Sequence, residues 1–299
     1  MSELGLVPYS QCPSGQAARC RFGNDAMLQI DVPGRGGGQL AIFRCGTCGH
    51  GVTRPAMDDV APLYEARESQ DFQRGDSPLA RWIKRKAFDR LARHLLHRIG
   101  RPPRTVVDFA CGNGLITRCI ADALGENADV VGLDFFTDPP EPMARARYSS
   151  FAALPGLAGK VDLVLCFHAL EHDDDPHRFV GRLTALLAPG GRLVVEVPNV
   201  DCVWTPWFGA KCENWYLPFH RVHFSRQSLR NLLEVQGLTI EAEDNICAAT
   251  MGHSIANWWG RPYSGIFFLV GVMLRPVQWL AEKLTGRPSA LRIIAVQPE

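Results

Sequence analysis

The stretch Val106-Val107-Asp108-Phe109-Ala110-Cys111-Gly112-Asn113-Gly114 constrains this chain more than any other. An apolar run of strand length reaches an acidic residue, a glycine turn follows, and the helical segment 115–124 opens directly behind it. Glycine suits such a turn because the backbone reverses sharply with no Cβ between it and a ligand. The spacing departs from the dinucleotide fingerprint G-x-G-x-x-G, since Ala110, Gly112 and Leu115 replace its pattern. An acid beside the turn also disfavours a pyrophosphate, because like charges repel, and favours a ligand that carries an ammonium group.

The same alternation continues downstream. Residues 130–133 form a second apolar run ending at Asp134, whose carboxylate can accept hydrogen bonds from both hydroxyls of a ribose. Residues 161–167 are almost continuously apolar, as a parallel strand buried on both faces should be. A helix over 178–187 is closed by Pro189-Gly190-Gly191, and 192–197 reads as another buried strand. A helix near 225–236 and strands near 238–243 and 291–297 complete the series. Strands alternating with helices at this spacing imply a parallel sheet with right-handed crossovers, an α/β fold. Between the last two strands lies an insert, about 247–289, with Trp258, Trp259, Phe267, Phe268 and Trp279.

The N-terminal segment differs. Residues 1–55 hold four cysteines and the glycine-rich stretch 33–38, residues 56–100 read as a polar linker and a helix, and 101–299 as the α/β domain. Cys45-Gly46-Thr47-Cys48 has the form of a zinc knuckle, in which two thiolates grip one tetrahedral ion. Cys12 and Cys20 would complete the set, with His50 able to substitute for Cys20; a degenerate module without metal is the alternative. No charged n-region or apolar h-region opens the chain, so a cytoplasmic protein with reduced thiols is expected. A formal net charge of +1 gives no global case for nucleic acid. The longest apolar run, 265–274, is too short to span a bilayer and fits a buried or interfacial helix.

Asp108-x-Ala110-Cys111-Gly112-x-Gly114 resembles motif I of the class I S-adenosylmethionine-dependent methyltransferases, with Ala110 where glycine is commoner. Val131-Gly132-Leu133-Asp134 resembles the family's ribose-binding strand end. The stretch 161–172, with Asp175-Pro176, is similar to its fourth-strand region, and 186–193 to its turn into strand five. The resemblance implies a Rossmann-like, seven-stranded, mostly parallel sheet with helices on both faces and the last strand antiparallel, preceded by a small zinc-ribbon-like module. It also implies S-adenosylmethionine, which has an ammonium group and no phosphate, at the carboxyl ends of the strands. Asp108, Ala110, Gly112, Gly114, Asp134, Phe135, Ser150, Phe151 and Phe167 are the residues expected to hold it, with Phe135 packing on the adenine.

Methyl transfer to a hydroxyl calls for a general base, and imidazole is well matched near neutral pH. His168 and His172 follow the fourth strand, and His220 and His223 lie in an aromatic-rich loop before a helix capped by Ser225. Glu171-His172 is read first as a loop-anchoring pair. Some quinone-type O-methyltransferases of the family bind a divalent metal through Glu-x-x-Glu-His, which His168-x-x-Glu171-His172 matches in part. The expected function is methyl transfer to a small acceptor, most simply a hydroxyl of a sugar, secondary metabolite or quinone-like precursor, with the insert as a lid. The alternatives are an RNA methyltransferase that uses the N-terminal module for recognition, and a non-enzymatic scaffold. A membrane-surface enzyme reaching a lipid-linked acceptor ranks below the lid.

Overall fold

The computed structural model describes residues 22–23, 30–31, 39–55, 78–135 and 142–299. Cys12, Cys20 and the linker 56–77 lie outside them.

The main sheet has seven strands: β5 (Thr105–Phe109), β6 (Asp129–Asp134), β7 (Arg147–Ser150), β8 (Val161–Phe167), β9 (Leu187–Pro198), β11 (Thr239–Ile246) and β12 (Ala290–Val296). Their order across the sheet is β11-β12-β9-β8-β5-β6-β7. β5 pairs in parallel with both β6 and β8, so the strand order reverses there, and the crevice at the carboxyl ends of these strands is where ligands bind in open α/β sheets. β12 runs antiparallel between β9 and β11. The Rossmann-like fold with an antiparallel last strand is as expected.

Strand side chains alternate between faces, and the two cores follow that alternation. Val106, Leu163 and Leu165 pack with Leu95, Ile99, Ile116 and Ile120 of helices α1 (Pro78–Ile99) and α2 (Leu115–Leu124). Their neighbours Val107, Val164 and Cys166 pack on the other face, with Val180, Leu183, Leu229 and Leu232 of α4 (Pro176–Thr184) and α6 (Arg226–Val235). The short helix α3 (Leu154–Leu157) precedes β8. Asp175 caps α4 by accepting from the Arg178 amide, and Ser225 caps α6 by accepting from the Ser228 amide.

A second sheet joins β1 (Phe22–Gly23), β2 (Ile30–Asp31), β3 (Gln39–Cys45), β4 (Gly51–Arg54) and β10 (Val222–His223). The last of these belongs to the loop before α6, so the N-terminal strands are bound into the α/β domain by the β4–β10 ladder. Gly51 makes this approach possible: a Cβ there would stand 3.0 Å from that of His223.

The insert departs from the sequence reading. After α5 (Thr205–Phe208) and the loop into β10, the chain forms α7 (Met251–Trp258) and then α8 (Gly265–Thr285). The second of these is twenty-one residues, running straight through Arg275-Pro276 where the apolar run ended. It is the one helix among the described residues long and apolar enough to cross a membrane, and most of it faces outward.

Candidate active site

The glycine turn is built as its sequence requires. Gly112 and Gly114 have φ of +56° and +69°, and Ala110 shares the left-handed region at +59°. The Cys111 amide donates to the Leu133 carbonyl at 3.0 Å, tying the turn to the end of β6. There Asp134 accepts from the Gly112 amide at 2.6 Å through Oδ2 and from the Phe135 amide at 2.7 Å through Oδ1. Each oxygen keeps lone-pair capacity for a hydroxyl. Burial raises the Asp134 pKa, against the lowering effect of those two amides.

Asp108 lies one residue before the end of β5. It is buried beneath the turn and accepts a hydrogen bond from the Thr117 hydroxyl. Burial pushes its pKa up to about 7, with Asp134 adding to the rise and the Thr117 hydrogen bond opposing it. Phe135 is exposed and meets Phe151 edge-on at 4.8 Å, while Phe151 rests on Phe109 at the same distance. Ser150 is in register with Asp134 across β6 and β7. Phe167 ends β8 with the Arg292 guanidinium 5.6 Å over its ring. A carboxylate for ribose hydroxyls, a tight turn with glycine at 112 and 114, and a phenylalanine pair for a base are features that suit a nucleoside cofactor.

Beside it lies a cavity of about 310 Å³, lined in part by His168, Glu171, His172, Tyr216, His220 and His253. Glu171 is buried at its centre. Neither of its oxygens has a hydrogen bond of good geometry, although His168 Nδ1 stands at 3.3 Å and His220 Nε2 at 3.8 Å. His168 lies in left-handed backbone at φ +51°, which aims its ring between two carboxylates, with Nε2 3.1 Å from Glu196 Oε1. Desolvation would lower its pKa, but Glu171 and Glu196 outweigh that and raise it to about 10. The two carboxylates thus favour the charged imidazole of His168.

His172 and His220 remain neutral. Burial lowers both pKa values, the second well below the usual range, where the neighbouring histidines add to the effect. His172 Nδ1 pairs with the Phe219 carbonyl and His220 Nδ1 with the Asn214 carbonyl, each at 3.1 Å. A carbonyl can only accept, so His220 carries its proton on Nδ1 and its basic lone pair on Nε2, while His172 lies against the backbone of both Phe219 and His168. The two rings meet edge-on at 5.0 Å. Glu171, His172 and His220 each offer a ligand atom within 4.8 Å of the others, a set able to hold a divalent cation.

His223 is elsewhere. It is buried in β10, its Nε2 2.9 Å from the Thr53 hydroxyl and its ring against Trp215 at 5.1 Å. It lines no part of the histidine cavity, so the structure does not bring it together with His168, His172 and His220. Cys45 and Cys48 are buried where β3 turns into β4. A larger cleft of about 740 Å³ opens there, lined by Arg44, Arg226 and Arg230, and it holds none of the histidines and carboxylates above.

Sequence reasoning missed three residues that organise the site. Glu196 and Arg292 face each other in register across β9 and β12, buried, with Arg292 Nε 2.8 Å from Glu196 Oε2. A lone charge inside an apolar strand requires a partner, and this was the available signal. Arg221 is fully buried; its Nε donates to Asp174 Oδ2 at 2.9 Å and its Nη2 to the carbonyls of Thr53 and Pro55. It fastens the N-terminal strands to the loop carrying Glu171, whose carbonyl accepts from the Arg221 amide at 2.7 Å.

Fold and site together define an α/β domain of the methyltransferase type. The family described as a methyltransferase domain matches residues 79–243, more than half the chain, and the protein belongs to that family. A probable S-adenosylmethionine-dependent methyltransferase of Mycolicibacterium smegmatis is 31% identical over 169 residues, 54% of this chain and 60% of that one. Ubiquinone biosynthesis O-methyltransferases of Methylococcus capsulatus and Cupriavidus pinatubonensis are 31% and 29% identical, over 32% and 46% of this chain. The chain spans 44% and 64% of their lengths, less than two-thirds of each of these three relatives. The fold is also that of a Burkholderia thailandensis 1,6-didemethyltoxoflavin-N1-methyltransferase, solved with S-adenosylhomocysteine. The TM-score is 0.50 at 17% identity, covering 85% of this chain and 97% of that one.

Proposed function

We propose that this protein transfers a methyl group from S-adenosylmethionine to a hydroxyl of a small, ring-bearing acceptor. The observation that carries this reading is the pair of neutral imidazoles, His172 and His220, in the cavity beside the glycine turn and Asp134. When bound, the cofactor supplies an electrophilic methyl, which leaves the protein to position the acceptor and take its proton. His172 is the base in this reading, with a charged His168 stabilising the developing oxyanion. Relatives named as O-methyltransferases support oxygen as the acceptor atom.

The test is calorimetric titration with S-adenosylmethionine and S-adenosylhomocysteine, beside the Asp134→Ala variant. Saturable binding that the variant loses is the expected result. No binding by folded wild-type protein sinks the reading and leaves a scaffold on this fold.

A second reading uses the same cavity. The buried Glu171 carboxylate, poor in hydrogen bonds and flanked by His172 and His220, favours a divalent metal that would orient a vicinal diol. Titration with magnesium, manganese and zinc separates the two: a site lost in Glu171→Gln supports the metal. Structural zinc at Cys45 and Cys48 is a separate proposal, resting on two buried thiols in a tight turn, and metal analysis of a Cys45→Ser/Cys48→Ser variant tests it.

A further inference from the structure

The α8 helix is amphipathic in the reverse of the usual sense. Its inward face carries Phe267, Gln278 and Glu282, the last two buried and polar. Gln278 donates to the Ala248 carbonyl at 2.7 Å, and Glu282 accepts from the Trp204 indole and the Ser289 amide at 2.9 Å each. The opposite face is a continuous apolar stripe at helical spacing: Ile266, Leu269, Met273, Val277, Leu280 and Leu284, each at least half exposed. Trp258, Trp259 and Tyr263 stand exposed at one end and Trp279 near the other. A soluble domain rarely leaves so long an apolar surface bare unless something covers it.

Charge identifies what covers it. Between residues 247 and 289 the one acid is Glu282, and it is buried and engaged. Arg261 at one end and Lys283 and Arg287 at the other are exposed. An apolar face flanked by tryptophans and edged by cations, with no exposed acid, matches an anionic lipid surface. A second copy of the same face would bring like charges together.

We propose that α7 and α8 form a monotopic membrane anchor that lays this face into an anionic lipid surface. The helix lies in the surface and does not cross it, because crossing would strip Gln278 and Glu282 of their hydrogen bonds and strand both in hydrocarbon. The helices are closely joined: a Cβ on Gly271 would stand 3.2 Å from the backbone of Gly252. The start of α7 walls the histidine cavity through Thr250 and His253, and His253 stacks on Tyr263 at 3.5 Å, so the anchor sets that cavity beside the lipid.

The full chain is tested by flotation on phosphatidylcholine vesicles with and without phosphatidylglycerol, and by tryptophan quenching with brominated lipid. Binding to the anionic vesicles with quenching is expected. Each basic side chain is worth about fivefold in partitioning, so Arg261→Gln/Lys283→Gln should weaken binding roughly 25-fold. Leu269→Glu/Met273→Glu should abolish it while cooperative unfolding is kept. Absence of flotation by folded protein overturns the proposal, as does flotation that the charge variant leaves unchanged. A concentration-dependent dimer, lost in Leu269→Glu/Met273→Glu and present without flotation, overturns it in favour of a second copy. The cofactor titration is read separately, so failure of the transfer reading and failure of the anchor are distinguishable.

Discussion

The His168 Nε2 atom lies 3.1 Å from Glu196 Oε1, twenty-eight residues further along the chain, and Arg292 Nε holds the other oxygen of that carboxylate at 2.8 Å. The backbone repeats the link, with the His168 amide donating to the Glu196 carbonyl at 2.9 Å. Glu196 is itself kept below the usual carboxylate range: burial would raise its pKa, and His168 and Arg292 more than reverse that. The cavity therefore has a fixed cation on one side and two neutral imidazoles on the other.

Replacing Glu196 by Gln should lower the His168 pKa from about 10 toward its usual value, which an NMR titration of the imidazole would read. The sign for stability follows from linkage. A histidine whose pKa rises on folding stabilises fully below about 6.5, and that contribution is lost as pH climbs through about 10. Urea denaturation of wild type and His168→Asn between pH 6.5 and 10 should show the wild-type advantage shrinking.

His172→Gln should reduce the transfer rate by roughly 10²- to 10⁴-fold, as expected for loss of a general base, with cofactor affinity unchanged. Because the His172 pKa is depressed, the wild-type rate should hold down to mildly acidic pH and fall only below it. His223→Gln serves as the contrast, since its partner is Thr53 and it should alter stability more than rate. Single-turnover assays with a phenolic acceptor would separate the two variants.

Removal of Arg221 takes from the Asp174 carboxylate the guanidinium at 2.9 Å, with Arg54 standing farther off at 3.8 Å. Arg221→Ala should cost about 3 kcal/mol, the low end for breaking a buried pair. Chemical denaturation reads that loss, and limited proteolysis should show the N-terminal strands released first.

Ala110 bears a Cβ in left-handed backbone, a strain of about 1–2 kcal/mol for an L-residue. Ala110→Gly relieves it, partly offset by glycine's greater freedom in the unfolded chain. A net gain near 1 kcal/mol, or about 2 °C in Tm, is expected by thermal unfolding.

Local periodicity made the main sheet legible. The 161–167 strand and the 115–124 helix occur with the bounds read from sequence, because alternation and helical spacing are local properties of a chain. Ser225 capping α6 was legible for the same reason. The helix read over 178–187 occupies Pro176–Thr184, and the strand read over 192–197 begins at Leu187, because its Pro-Gly-Gly turn is an irregularity between two pairings with β8, Leu187 with Val161 and Arg192 with Leu163. The α8 helix was cut short in the sequence reading at Arg275-Pro276, yet it continues there with the Arg275 guanidinium reaching the Cys247 carbonyl.

By itself the sequence determined the α/β class, the glycine turn, the acid at the end of β6 and the group of histidines put forward as candidates. Only the tertiary structure sets the surroundings of each histidine. The proton affinity of an imidazole depends on which carboxylates and carbonyls face it, and those come from distant strands: Glu196 for His168, the Phe219 carbonyl for His172, Thr53 for His223. The same holds for the insert, whose apolar residues are plain in the sequence while the face they leave uncovered depends on which side of α8 Gln278 and Glu282 bind.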